Sequence, residues 1–288
     1  MRETISINNF ADLLAVSRAT VDAWIKKGKY HVHEDKGKRF FYVDELEEVK
    51  EVKSMLHTHW NEEKIVHPLQ RYTSVELFAG AGGLALGMEK AGFHHLLLNE
   101  IDHNACETLR KNRPEWNVVE GDIHEVDFSP LKGKVDFLSG GFPCQAFSYA
   151  GKRLGFEETR GTLFFELARA VKEIQPAVFL CENVKGLLEH DNGRTMETIK
   201  GVISEIGYTL VEPRVLRAIQ YDVPQKRERL ILIAIRNNIA PKVHFEWPDV
   251  CDGVRTLRDA FYKGALFDKD VPQSQGQQYP ESKRQVME

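Results

Sequence analysis

No stretch of this 288-residue chain approaches the roughly 20 apolar residues that span a bilayer, so no membrane association is expected. The start, Met1-Arg2-Glu3-Thr4, has no apolar signal region. Cysteine is scarce. The four present, Cys106, Cys144, Cys181 and Cys251, fall at no metal-ligand spacing and form no paired framework. That excludes a disulfide scaffold, gives no metal site and points to a reducing, cytoplasmic setting. Charge of neither sign dominates: 39 Lys and Arg against 43 Asp and Glu leave a net charge of −4. A nucleic-acid surface must therefore be a local patch. Repeats and low-complexity tracts are missing too. The length allows one large core and a small extra domain.

The stretch that organises the rest is Val135-Asp136-Phe137-Leu138-Ser139-Gly140-Gly141-Phe142-Pro143-Cys144-Gln145. An apolar run reads as a buried strand. Two glycines let backbone and ligand approach closely, and Pro143 stiffens the turn. Cys144 then stands at the carboxyl end of a strand, where open α/β sheets bind ligands. On this segment alone, a nucleophile and a small buried thiol compete equally.

Earlier, Ile5-Ser6-Ile7 reads as a short extended start. Asn8 or Asn9 can cap a helix through Phe10, Leu13 and Leu14, and Ser17 can cap a second helix whose Val21, Trp24 and Ile25 share a face. Gly28 stops it. Tyr30 to His33 and Arg39 to Val43 flank the polar turn Glu34-Asp35-Lys36-Gly37, and Asp44 can cap a closing helix from Glu45. The whole resembles the winged helix-turn-helix of excisionase and MerR-type proteins. Lys26, Lys27, Lys29, Lys36, Lys38 and Arg39 could meet phosphates, while Ser17, Arg18 and Thr20 face a groove. Packing on a neighbouring domain is the competing use of this module. Residues 52–70 read as a helix tail and linker.

Thr73 to Phe78 reads as a strand, followed by Ala79-Gly80-Ala81-Gly82-Gly83 and then a helix from Leu84 to Ala91. Strand, glycine turn and helix start make a nucleotide-type cradle, because small residues admit the ligand and the helix start supplies free N–H donors. Asn99-Glu100-Ile101-Asp102 closes a second strand, with Glu100 about twenty residues past the glycines, where an acid can accept both ribose hydroxyls. A third strand end, Val118 to Ile123, offers Asp122 to an adenine amino group, and Ile101 and Ile123 can sandwich the ring. Together these favour an adenosyl pocket. No P-loop lysine follows the glycines, which disfavours a nucleoside triphosphate.

After Cys144 comes a polar, Gly-rich loop to Gly161, long enough to act as a lid. Thr162 to Val171 reads as a helix. The apolar strand Ala177 to Cys181 delivers Glu182-Asn183-Val184 at its end, and a carboxylate there is costly unless used or paired. Met196 to Ile206 reads as an amphipathic helix, and Leu210 to Arg217 and Leu230 to Ile235 as strands. Between those strands, Arg227 and Arg229 alternate at period two and so face one side.

Phe78-Ala79-Gly80-Ala81-Gly82-Gly83, Gly141-Phe142-Pro143-Cys144-Gln145, Glu182-Asn183-Val184 and Gln225-Lys226-Arg227-Glu228-Arg229 resemble, in the same order, the motif set of DNA (cytosine-5) methyltransferases. Arg160-Gly161-Thr162-Leu163-Phe164 is similar to a further element. The resemblance covers roughly residues 72 to 240. It implies an α/β, Rossmann-like fold and methyl transfer from S-adenosylmethionine to C5 of cytosine in duplex DNA. In that role Cys144 attacks C6, Glu182 holds the cytosine edge and helps protonate N3, and Arg229, with Arg227, binds O2. The target base is flipped out beneath the loop after Cys144. Phe78, Ala79, Gly80, Gly82, Gly83, Leu84, Glu100, Ile101, Asp122 and Ile123 line the cofactor site, flanked by Pro143 and Leu163.

The expected domains are a winged helix-turn-helix over 1–50, a helical linker over 51–71, the catalytic domain over 72–250, and over 251–288 a lead-in to a recognition region not found here. Family members normally continue into a target-recognition region and a late Asn-containing motif. A second methyltransferase subunit supplying them is therefore expected, within a restriction–modification system, with a truncated chain as the competing reading. Competing functions are a tRNA cytosine-5 methyltransferase, a DNA-binding regulator with an inert methyltransferase half, and a small-molecule methyltransferase.

Overall fold

The structure, a computed structural model, describes residues 2–63, 67–142 and 163–261. In the N-terminal unit, β1 (Thr4–Ser6) leads into α1 (Ile7–Leu13), and a four-residue turn joins it to α2 (Arg18–Lys26). Strands β2 (His33–Asp35) and β3 (Lys38–Tyr42) form a hairpin, to which β1 adds, giving the order β1-β3-β2. The hairpin turns at Lys36 and Gly37, both at positive φ (48° and 75°), two residues later than the sequence reading placed the first strand. That pair matches the two-residue hairpin turn whose twist suits the flanking strands. The cap of α1 is Ser6, not Asn8 or Asn9: its Oγ accepts the Asn9 N–H at 3.1 Å. Ser17 caps α2 as expected, accepting the Thr20 N–H at 3.1 Å. Asp44 caps no helix. It pairs with Arg2 at 2.7 Å, and the chain passes through a 3-10 turn, Val43–Leu46, before α3 (Lys50–Leu56) and the single turn α4 (Trp60–Glu63).

Beyond it lie β4 (Thr73–Leu77), α5 (Gly83–Lys90), β5 (His94–Glu100), α6 (His103–Asn112), β6 (Val118–Glu120), β7 (Phe137–Gly140), α7 (Leu163–Ile174), β8 (Val178–Val184), α8 (Arg194–Glu205), β9 (Tyr208–Leu210), β10 (Arg214–Arg217), β11 (Glu228–Arg236) and α9 (Leu257–Phe261). The eight strands form one mixed sheet in the order β10-β11-β8-β7-β4-β5-β6, with β9 also on β11. The five strands β4 to β8 run parallel, and β11 runs antiparallel to β8. The α/β class is as expected. The single strand read over Leu210 to Arg217 is two strands, β9 and β10, in succession along β11. Pro213 falls in the gap, where it has no N–H to give the ladder.

The chain builds outward from β4 in one direction to β5 and β6, and then in the other from β7 to β8. Between β4 and β7 lies the switch point at whose carboxyl rim such sheets bind ligands. Strand parity sorts the side chains. Val75, Leu77, Leu97, Leu138, Phe179 and Cys181 join Leu167, Val171, Ile199 and Ile203 of α7 and α8 in the main core. On the opposite face, Leu98 joins Ala85, Leu109 and Trp116 of the α5 and α6 region. Over β8 and β11 this second face meets Phe245, Trp247 and Pro248 across a cavity.

The N-terminal unit has its own core, from Ile5 to Met55, against which Val250 and Val254 also pack. It is tied to the rim of the large sheet at two places. Asp12 accepts Lys226 Nζ at 2.5 Å and the Leu13 carbonyl accepts Arg217 Nη1 at 3.1 Å. Further on, His59 N–H donates to Asp249 at 2.9 Å, Asn61 to Asp252 at 3.1 Å, and the Trp60 and Tyr221 rings lie 5.9 Å apart.

Candidate active site

The glycine turn is built on left-handed backbone that residues with side chains rarely adopt. Phe78, at the end of β4, has φ 57°, and Gly80 and Gly82 have φ 53° and 85°. A left-handed non-glycine residue costs of order 1–3 kcal/mol and collects at functional sites. At Gly82 a Cβ would lie 2.6 Å from Leu109 Cδ2, so the helix start approaches α6 as only glycine allows. At Gly80 and Gly83, by contrast, a Cβ would meet nothing within 4 Å: the space over the turn is open.

Glu100 holds that turn in place. Its Oε2 accepts the Gly80 N–H at 2.7 Å, and its Oε1 accepts those of Ile101 and Asp102, each at 2.9 Å. With about four acceptor sites on a carboxylate, one position on Oε2 is left for a hydroxyl. On the next strand end, the Asp122 Oδ1 accepts both the backbone N–H (3.0 Å) and ring Nδ1 (2.6 Å) of His124, which hold its carboxyl below the usual range. Oδ2 takes no hydrogen bond from a described residue. Ile101 is 67 % exposed, which leaves its apolar side chain open for stacking. Ile123 is 3 % exposed and lies in the core, so it underlies the site and does not close over it. Leu163, at the start of α7, packs against the same core.

The second half of the site depends on β11 being antiparallel. Its amino end therefore meets the carboxyl ends of β7 and β8. Ile231 pairs with Glu182, and Arg229 pairs with Val184. Glu182 lies within β8, which runs three residues past the Cys181 at which the sequence reading ends it. Its Oε1 is 2.6 Å from Arg229 Nε and 3.6 Å from Arg227 Nη2, so the alternating arginines do converge on one carboxylate. A Cβ on Gly141 would lie 3.3 Å from Glu182 Oε2, so the bare glycine backbone lets Glu182 lie against the turn that leads to Cys144. Asn183, on the opposite face, donates from Nδ2 to the Phe142 carbonyl at 2.8 Å and pins that turn from beneath. Glu182, Arg227, Gly141, Phe78 and Leu84 line a common cavity of about 780 Å³.

Pro143, Cys144 and the loop to Thr162 lie outside the described residues. The other three cysteines are free and buried, and burial pushes the thiols of Cys106 and Cys181 up. Such thiols are poor nucleophiles.

At the N-terminal unit, Ser17 and Thr20 are engaged with each other at 2.8 Å in the α2 cap. Arg18 donates to Asn8 at 2.9 Å and lies 3.5 Å from Asp22, which also takes Arg39 at 3.3 Å. Lys26, Lys27 and Lys38 carry no such ion pair among the described residues.

Sequence reasoning missed two groups. Asn183 was read only as part of a motif, and no periodicity reveals which carbonyl an amide meets. Glu76 sits in β4 between Val75 and Leu77, where alternation would equally place a solvent-facing acid; it is 2 % exposed.

Residues 72–284 match the model of the C-5 cytosine-specific DNA methylase family. The chain is 55% identical over its whole length to the type II methyltransferase M.Eco47II of Escherichia coli, covering 69% of that protein. It is 53% identical over 96% of its length to the type II methyltransferase M.PspPI of Psychrobacter sp., covering 67% of it. Among solved structures, a DNA modification methyltransferase encoded within an E. coli prophage matches with a TM-score of 0.55 and 27% identity, over 66% of this chain and 54% of that one. The chain thus spans about two thirds of the length of these two curated relatives and about half of the solved chain.

Proposed function

The chain belongs to the C-5 cytosine-specific DNA methylase family, and from that premise we propose that it transfers a methyl group from S-adenosylmethionine to C5 of cytosine in duplex DNA. The observation that carries the reading is the convergence of Arg229 and Arg227 on Glu182, beside the glycine turn that leads to Cys144. Two positively charged forks and a carboxylate at one rim offer both donors and an acceptor to the edge of a flat base.

The cradle fits the cofactor. Glu100 keeps an acceptor position for a ribose hydroxyl, Asp122 Oδ2 for an adenine amino group, and Ile101 an open apolar face. When bound, the cofactor supplies an electrophilic methyl group. The chain's own residues do the rest. Cytosine C5 is a weak nucleophile until the Cys144 thiolate adds to C6 and makes C5 enamine-like. Glu182 holds N3, and Arg229 and Arg227 hold O2, where negative charge develops during attack. Loss of the C5 proton and departure of the thiolate return the enzyme. A base within a duplex reaches this rim only when extruded, an exchange helped by a pocket that replaces its lost contacts.

In this reading the N-terminal unit adds non-specific duplex contacts through Lys26, Lys27 and Lys38, close to the catalytic rim because α1 is tied to Lys226 and Arg217. Target-sequence reading, in a restriction–modification setting shared with the type II relatives, would come from a recognition region on this polypeptide or a second subunit.

The test is Cys144→Ser. A serine hydroxyl is scarcely ionised at neutral pH, so tritiated-methyl transfer to DNA should fall to background while S-adenosylmethionine binding persists. A fully active serine variant would refute the role of Cys144.

A further inference from the structure

Arg227 and Arg229 stand at the start of β11, yet packing does not fix the first of them. Arg227 borders the 780 Å³ cavity on the Glu182 side. It also borders a second cavity, of about 240 Å³, lined by Asp12, Ala15 and Val16 of the N-terminal unit and by Arg217, Lys226 and Glu228. A side chain between two voids has few atoms against it, so its place depends on the residues that flank it.

Both flanking residues are gripped from elsewhere. Side chains alternate along an extended chain, so with Arg227 and Arg229 turned to Glu182, Lys226 and Glu228 point the other way. Lys226 meets Asp12 of α1. Glu228 takes Arg217, its register partner on β10, at 3.1 Å, and Lys185 at 3.4 Å. Arg217 also reaches the N-terminal unit. Its Nη1 donates to the Leu13 carbonyl at 3.1 Å and lies 3.6 Å from Glu51 of α3. Leu13 ends α1, where carbonyls have no partner inside the helix, and α1 has no basic residue of its own in its last turn. One guanidinium thus closes α1 and holds the residue between the two arginines. The side chains of Arg217 and Glu228 are 23 % and 28 % exposed, against 70 % for Lys226, so Arg217 is the firmer of the two ties.

We propose that Arg217 is a positioning residue for methyl transfer, through which the docked N-terminal unit sets the turn that presents Arg227 and Arg229 to the cytosine. The proposal rests on the methyltransferase reading above. Arg217 acts through Glu228 and not on the base. Its rigid fork serves acceptors on both units at once, which neither lysine nor glutamine can do in the same geometry. Misplacing a reacting or holding group by about 1 Å can cost about a hundredfold in rate, so a tie outside the site can govern the chemical step.

Single-turnover methyl transfer by the full chain, at saturating duplex DNA and S-adenosylmethionine, separates placement from folding. A variant that merely folds less well gives a smaller amplitude at the native rate constant. A misplaced arginine gives a smaller rate constant. Arg217→Gln and Glu228→Gln should each lower the rate constant by roughly ten- to a hundredfold. The two together should lower it no further than either alone, because both break one tie. Calorimetric affinity for S-adenosylmethionine should stay at the native value, since the cradle lies on β4 to β6. Asp12→Lys should slow the step as well, and Lys226→Asp in the same chain should restore it by remaking the pair with its charges exchanged. A native rate constant in Arg217→Gln, or losses that multiply in the double variant, would overturn the proposal. Failure of the charge exchange to restore the rate would overturn the part assigned to the N-terminal unit. Absence of methyl transfer from the native chain would overturn the methyltransferase reading on which the proposal rests.

Discussion

Glu100 and Glu76 differ by a single strand and behave as opposites. Glu100 accepts three backbone N–H groups, the arrangement that suits a carboxylate. Removing it leaves the glycine turn untied and, in the proposed cofactor site, takes away the ribose acceptor. Hydrogen bonds to a charged group contribute about 1.5–3 kcal/mol, so Glu100→Ala should weaken S-adenosylmethionine binding by roughly ten- to a hundredfold in calorimetry. Unchanged affinity would remove Glu100 from the site. Glu76 Oε2 has no such donor among the described residues, and burial lifts its folded-state pKa above the unfolded value. Its favourable share of stability is therefore complete below the unfolded pKa of 4.5 and is lost as pH rises to about 8. The slope over that window is at most about 1.4 kcal/mol per pH unit. Denaturant unfolding between pH 5 and 8 should show it in the native chain and not in Glu76→Gln. Glu100 could be singled out in the sequence because three successive strand ends carry glycines, Glu and Asp, although each acid alone could as well cap a helix. Glu76 could not, because burial of one acid in an alternating strand is decided by what covers the sheet.

At the level of elements, the sequence made the strand–glycine–helix unit and the strand that ends in Gly140 legible, since each is a local change of composition. The reversal of β11 was not legible. Nothing within Glu228–Arg236 states its direction, yet that reversal alone brings Arg229 to Glu182. Likewise the break between β9 and β10 could have been read from Pro213. In the N-terminal unit, the two helices and the hairpin were readable, but the role of each polar group depended on neighbours. Ser17 and Thr20 are engaged in the helix cap, Arg18 and Arg39 with Asp22, and the uncommitted cations are lysines. If those lysines meet phosphates, Lys26→Ala combined with Lys27→Ala should weaken binding to duplexes of any sequence and lower the slope of log affinity against log salt by about one to two. An unchanged slope in a gel-shift or fluorescence titration would show that the unit serves packing alone.

For the molecule as a whole, two cores are joined along the loops that carry the arginines. Residues 218–227 between β10 and β11 are held from α1 through Lys226 and from α4 through Tyr221. This clasp could not be read along the chain, because ion pairs such as Asp12–Lys226 link residues more than 200 positions apart and have no local signature. In the function proposed above, these two halves serve one covalent reaction at Cys144. Duplex DNA of mixed sequence containing 5-fluorocytosine tests it directly, because fluorine at C5 cannot leave as a proton does and the thiolate is then retained. Incubated with S-adenosylmethionine, the chain should yield, by peptide mass spectrometry, a DNA adduct on Cys144 that is missing from Cys144→Ser. Methylated cytosine product from ordinary DNA with no adduct from the fluorinated duplex, or an adduct on another residue, would contradict it.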